Sequence, residues 1–300
     1  MSTKKVYPRS LRGALDVLEK LALGDDDTVF RGHSDSEWRI CSTLSRFSAI
    51  PHESWDTRVD EMLSHFMTNL RSIGEMPADL NSDRRARLEY GRHHDVPSPL
   101  IDFSLSPYVA LFFAFNGFRP DRTKPDKKVV VYALDTKALG LGWSQRCASV
   151  GKGGAGEELN RFLDQSEPLF AKGYPAGVLK YIRFPASWNK RMQRQMGVFI
   201  YDTLNYAHLN LKDFEDLAEN VKEPRDATSG EYSPTLTKVF VPCSVAGEAF
   251  SRLELMGISA TRLYDDRSGA AADVKNAYNY SRKTGYAWDQ VLRRSRGPSS

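Results

Sequence analysis

Cysteine is scarce: Cys41, Cys147 and Cys243 are spread over 300 residues, with no Cys-x-x-Cys pair. This argues against a disulfide scaffold and against a cysteine-based zinc site, and favours buried free thiols. Long apolar runs are also missing. The longest, residues 109–115, falls far short of the roughly 20 residues that span a bilayer. The opening segment, MSTKKVYPRSLRGAL, has charge but none of the apolar stretch of a secretory leader. A cytoplasmic protein with no membrane role is the expectation. Neither sign of charge dominates, since 42 basic residues against 38 acidic ones leave only +4. Net charge therefore selects no partner class. Basic residues do cluster at 84–87, 124–128, 190–194 and 293–296. Such clusters either help an acidic ligand or nucleic acid approach, or are ordinary solvated faces. Internal repeats and linker-like stretches are lacking.

What is present reads as α+β. Helical periodicity predicts helices over residues 10–23, with Ser10 as N-cap, and over 55–70 and 84–94, the last ending before Pro97. Residues 28–32 read as a short strand running into a turn at Gly32. Residues 101–104 read as a strand end, after which Ser106 as N-cap and Pro107 at the first helical position open an apolar helix over 108–115. Further strands are expected at 129–134, 178–184, 197–201, 237–241 and 259–264. Further helices are expected at 212–219, at 246–256 with Gly257 as stop, and at 269–275 and 286–292. Residues 119–128 and 221–234 read as polar loops. The glycine-rich stretch 151–158, GKGGAGEE, reads as a mobile loop; it lacks the Gly-Lys-Ser/Thr ending of a phosphate-binding loop. The expected organisation is a single mixed domain over 28–265, preceded by a helical segment (1–27) and followed by a helical tail (266–300).

Two segments carry the residues suited to chemistry. The first is Phe30-Arg31-Gly32, followed by Trp38 and Leu44-Ser45-Arg46. An arginine leaving a strand beside a glycine either presents its planar fork to a phosphate or pairs with a core carboxylate such as Asp102. The second segment runs from Leu88 to Phe115 and contains His93-His94-Asp95-Val96-Pro97-Ser98-Pro99-Leu100-Ile101-Asp102-Phe103-Ser104. Adjacent histidines on a helix point about 100° apart, so one of the two faces any pocket. Aromatics near Tyr174, Tyr181, Trp188 and Phe199 lie among basic residues, suited to stacking a base or to packing a core.

Together and in this order, the two segments resemble the FRG domain family, named for its Phe-Arg-Gly tripeptide. That family carries Gln-His-(His/Tyr)-Gly-x-Pro-Thr-Arg-Leu-Leu-Asp-(Trp/Phe)-(Ser/Thr), then Pro-x-x-Ala-x-x-Phe-Ala. The latter stands here as Pro107-Tyr108-Val109-Ala110-Leu111-Phe112-Phe113-Ala114. The chain departs at Arg92 for Gln, Asp95 for Gly, and Ser98-Pro99 for Thr-Arg. Arg191-x-x-x-Gln195-x-Gly197-x-Phe199 resembles a later element of the same family. The pair of segments is similar, more loosely, to the Arg…Ser-Thr-Ser layout of ADP-ribosyltransferases.

That second resemblance implies a split β core and an NAD-handling pocket, with NAD as co-substrate and no metal. Arg31, His94, Asp102, Ser104 and Gln195 would be the catalytic set. Phe30, Gly32, His93, Phe103 and Arg191 would join Arg31, His94 and Ser104 in holding NAD. Gln195 stands where a transferase has glutamate, so the acid would be Glu157, Glu158, Glu231 or Asp102. The implied role is a toxin or phage-defence effector that modifies a macromolecule, RNA favoured over protein, with an antitoxin or chaperone partner. The alternative is a module that senses a nucleotide or nucleic acid without turnover.

Overall fold

The computed structural model describes residues 3–24, 27–47, 55–77, 80, 83–117, 127–149, 151, 154–163, 177–183, 189–221, 234–264 and 266–284. In chain order the elements are β1 (Thr3–Val6), α1 (Leu11–Gly24), β2 (Thr28–His33), α2 (Trp55–Ser72), α3 (Arg84–His93), β3 (Leu100–Ser104), α4 (Pro107–Asn116), β4 (Lys128–Asp135), α5 (Thr136–Ser149), α6 (Ala155–Leu163), β5 (Leu179–Ile182), α7 (Lys190–Arg194), β6 (Gly197–Asp202), α8 (Phe214–Asn220), β7 (Leu236–Pro242), α9 (Ala246–Leu255), α10 (Ala260–Tyr264) and α11 (Arg267–Thr284). No helix among the described residues is long and apolar enough to cross a membrane.

The strands form one mixed sheet in the order β1-β7-β4-β2-β3-β6-β5. Strand β4 reads KVVVYALD because both of its faces are covered. Val129, Val131 and Ala133 join Leu11, Leu15 and Leu18 of α1, the apolar residues of α4, and Leu253 of α9. Val130, Tyr132 and Leu134 face Trp143 of α5, Phe162 of α6 and Phe214 of α8. A third cluster packs Leu63 of α2 and Leu88 of α3 on Leu100, Phe199 and Tyr201 of β3 and β6. The mixed α and β composition agrees with the fold class read from the sequence, and β2, β3, α3 and α4 lie where the periodicity puts them. Helix α4 opens as expected: the Ser106 hydroxyl accepts from the Val109 amide at 3.3 Å, with Pro107 in the first turn.

Other expectations fail for identifiable reasons. Residues 260–264 form helix α10, not a strand, because Asp273 of α11 accepts from the Ala260 and Thr261 amides at 2.8 Å each. That cap comes from another helix and leaves no local trace. The stretch 151–158 is not wholly loop: α6 begins at Ala155, with Arg161 bridging Glu157 at 2.7 Å. The expected helix at 269–275 belongs to the longer α11, while 286–292 lies outside the described residues. So do most of 119–128 and 221–234. The pattern predicts neither β1, α5 nor α7. Strand β1 is a half-polar TKKV that pairs in parallel with β7, so the segment before residue 28 contributes a strand to the same sheet.

Candidate functional site

Strand β2 pairs with β4 through six consecutive residue pairs, Thr28↔Asp135 to His33↔Val130. Its other edge meets β3 through a single pair, Phe30↔Ser104. Beyond that pair the two strands diverge, and the sheet parts. A cleft of about 1000 Å³ opens at the divergence. One wall is the end of β2, with His33, and the arm that follows it, with Trp38, Cys41 and Arg46. The other is built by α3, α4, α7, α10 and the start of α11, with Arg92, His93, Asn116, Arg191, Tyr264 and Ser268.

Arg31 bridges the gap that the missing ladder leaves. Its guanidinium donates to the main-chain carbonyl of Asp102, and the Asp102 carboxylate lies 3.7 Å away. Its Nε donates to Nε2 of His33 at 2.8 Å. His33 must then be neutral with its proton on Nδ1, and that nitrogen faces the Trp38 carbonyl at 3.1 Å. Burial first, and then the Arg31 charge, push the His33 imidazole down to about 3. Burial likewise lowers Arg31, opposed by Asp102; a guanidinium nonetheless stays charged at any ordinary pH. Arg92 reaches the same carboxylate at 2.5 Å. Two guanidinium groups thus share one acid.

Further cations line the cleft. Arg46 makes no hydrogen bond or ion pair among the described residues, yet lies close enough to lower both Arg31 and His33. Arg191 lies over the ring of Tyr264, 4.5 Å from its centroid, and 3.5 Å from His93 Nδ1. Burial and then Arg191 lower His93. Of the other lining carboxylates, Glu89 is buried between Arg85 at 3.0 Å and Asn189 at 3.2 Å. Glu37 and Asp95 are exposed. Glu37 and Glu89 escape sequence reasoning; only their position relative to the cleft marks them.

The expected site residues divide. Arg31, His93, Asp102 and Arg191 converge on the cleft with polar groups facing it. His94 does not line it: its ring packs 4.5 Å from Tyr90 and 5.9 Å from Phe66, so the histidine that faces the cleft is its neighbour His93. Ser104 and Gln195 line the cleft but are engaged elsewhere. The Ser104 hydroxyl donates to the Gln195 carbonyl at 2.7 Å and accepts from the Ser106 amide at 3.0 Å. The Gln195 amide donates to the Leu263 carbonyl at 3.2 Å. Together these bonds tie β3 to α7 and α10. Phe30 and Phe103 are core residues that also line the cleft. Gly32 sits against α4, where a Cβ would collide with the carbonyl oxygen of Ala110 and lie 2.6 Å from the Ala114 amide. Its requirement is steric. Of the aromatics, Tyr181 and Phe199 are buried in the core, while Tyr174 and Trp188 fall outside the described residues.

Among the acids considered for catalysis, Glu157 and Glu158 lie on α6, are not among the residues lining the cleft, and bind Arg161. Glu231 lies outside the described residues. Of the three described, Asp102 lines the cleft.

The departures from the family string also have places. Asp95, where the family has glycine, adopts φ +61°, a left-handed conformation that Asp tolerates better than most side chains. Arg92 is the second ligand of Asp102. Ser98 joins the arm to β3: its amide donates to the Thr43 hydroxyl at 2.9 Å, and its carbonyl accepts from the Leu44 amide at 3.1 Å.

Residues 26–123 match the family model of the FRG domain, which supports the FRG assignment over that span. The match covers β2 to α4, and so the arm, α3 and the Arg31–Asp102 crossing; Arg191, Gln195, Tyr264 and Ser268 lie beyond it. No curated protein and no solved structure gives a match.

Proposed function

We propose that the cleft between the two halves of the sheet binds NAD or a closely related pyrophosphate-bearing nucleotide. One observation carries this reading. Arg31 and Arg92 converge on the single carboxylate of Asp102, while Arg46 and Arg191 lie in the same cleft without an ion pair among the described residues. Planar guanidinium forks are matched to phosphate oxygens, and a partly buried cleft strengthens that attraction. A volume of about 1000 Å³ accommodates a dinucleotide.

A second reading is transfer of ADP-ribose from NAD to a macromolecule, with nucleic acid favoured as acceptor. The C1′–nicotinamide bond would break, nicotinamide would leave, and an acceptor nucleophile would bond to C1′ and give up its proton. This chemistry calls for a carboxylate near the ribose to stabilise the developing positive charge. Gln195 supplies none, because its side chain is a neutral amide, and that amide is in any case held by the Leu263 carbonyl. Asp102, Glu37 and Asp95 are the lining acids left for that role. The binding reading stands without them, which makes it the better supported of the two. An antitoxin or chaperone partner, and a place in toxin or phage-defence biology, belong to the transfer reading.

The two readings separate in one experiment. The full chain is titrated with NAD by calorimetry and incubated with labelled NAD and separate pools of RNA, DNA and protein. Heat of binding, lost in Arg31→Ala, with no label transferred, establishes a binding module. Label passing to one pool establishes a transferase and names its acceptor class. Absence of both rejects the cleft as an NAD site.

A further inference from the structure

Trp38 is 59% exposed, and among the described large apolar side chains with such exposure it alone lines the cleft. Its indole makes no ring contact within the described residues. Its backbone, in contrast, is held firmly. The Trp38 carbonyl accepts from the Tyr132 hydroxyl at 2.8 Å and faces the protonated Nδ1 of His33 at 3.1 Å, both from buried residues. The next residue, Arg39, forks onto Asp213 at 2.6 and 2.8 Å, and the Ile40 amide donates to Glu215 at 2.7 Å. A free aromatic face on a fixed backbone is already organised for a ligand, so little order is lost on binding. Arg46 lines the same cleft with no ion pair among the described residues, within electrostatic reach of Arg31 and His33.

We propose that Trp38 is the base-stacking platform of the cleft and that Arg46 serves the phosphates beside it. The ligand class is then a nucleotide recognised by its base as well as its phosphates, rather than a simple polyanion. The proposal rests on the reading of the cleft as a nucleotide site and adds to it where the base lies. Stacking of a base on an aromatic side chain is tolerant of base identity and is worth roughly 5- to 150-fold in affinity.

The test compares ADP with inorganic pyrophosphate, by calorimetry and tryptophan emission, on the full chain and on Trp38→Ala, Trp38→Phe and Arg46→Ala. Circular dichroism establishes that each variant is folded. ADP is expected to quench emission in the wild type but not in Trp38→Phe. Trp38→Ala is expected to weaken ADP about tenfold or more while leaving pyrophosphate unchanged. Trp38→Phe should retain most of the ADP affinity, and Arg46→Ala should weaken both ligands. Equal loss of both ligands in Trp38→Ala, or no loss of either, overturns the stacking role while leaving the anion site intact. Failure of the wild type to bind either ligand rejects the nucleotide reading and the stacking role together.

Discussion

Strand β2 has two edges that differ sharply. Towards β4 it is zipped through six residue pairs, and its side chains enter cores on both faces. Towards β3 it is joined by one pair, and beyond that a side chain, the Arg31 guanidinium, occupies the place of a ladder. The first edge is ordinary sheet construction. The second exchanges backbone hydrogen bonds, which can serve only the fold, for a charged group that can serve both fold and ligand. A binding site placed at a parting of strands needs a residue with this double duty, and Arg31 fits it because one planar fork reaches a carbonyl, a carboxylate and a histidine at once.

The contrast can be broken most forcefully at Gly32. In Gly32→Ala the new Cβ meets backbone of α4, which cannot swing aside as a flexible side chain would. A stability loss of about 3 kcal/mol or more is expected in urea denaturation, or failure to fold. Retention of wild-type stability would mean that β2 is not packed on α4 as described.

Arg31→Lys is next. The charge persists but the fork is lost, so the Asp102 carbonyl and His33 Nε2 cannot both be served. A loss of about 1–3 kcal/mol is expected, together with loss of most NAD binding by calorimetry. Stability falling without any change in ligand binding would make Arg31 purely a structural strut.

Asp102→Asn should move the two properties in opposite directions. Removing the shared acid leaves Arg31 and Arg92 mutually repelling, at a stability cost of about 1–2 kcal/mol, while freeing both forks for an anion. Pyrophosphate should bind more tightly at low salt, and the gain should shrink as salt is added. Weaker pyrophosphate binding would show that Asp102 holds the forks in position rather than competing for them.

The smallest effect is one of pH. His33 is pushed down from 6.5 to about 3 by burial, so between those values the unfolded chain binds the proton that the fold refuses. Its contribution is fully present above 6.5 and is lost as pH falls towards 3. Buried Asp202, in β6 beyond the parting, is pushed up from 3.8 to about 7, chiefly by burial. There the fold binds the proton that the unfolded chain has released, and stability is lost as pH rises from 3.8 to 7. Each slope is at most about 1.4 kcal/mol per pH unit, and over their shared window, pH 4–6.5, they oppose each other. Asp202→Asn should expose a stability that rises with pH, and His33→Gln one that falls, both read from denaturation midpoints across that window. Unchanged slopes in both variants would show that neither group is buried as described.

Sequence alone locates much of this because the determinants are local. Ser106-Pro107 fixes the start of α4, the apolar run 129–134 announces a doubly covered strand, and Phe30-Arg31-Gly32 marks the edge of the parting. Arg31, His93, Asp102 and Arg191 are legible as residue types that suit an anionic ligand. What is not legible depends on partners distant along the chain. The Asp273 cap converts a stretch that reads as a strand into α10. Two glycines and little amphipathic contrast hide α5, which packs on several sides. The choice between His93 and His94 turns on which one meets Arg191 and which meets Phe66. Ser104 and Gln195 have hydroxyl and amide groups suited to ribose, but their hydrogen bonds to Gln195 and Leu263 can be seen only once the chain is folded.

Strand β1 has a consequence for the order of assembly. Residues 3–6 lie beside residues 236–239, so β1 leaves the ribosome long before its ladder partner has been made. Closing so long a loop is slow relative to local pairing. The β2–β4 ladder and α4 can therefore be in place while the N-terminal strand is still seeking its edge. Protease probing of chains arrested before residue 236 should find Lys4 and Lys5 cleavable, and protected once β7 has emerged.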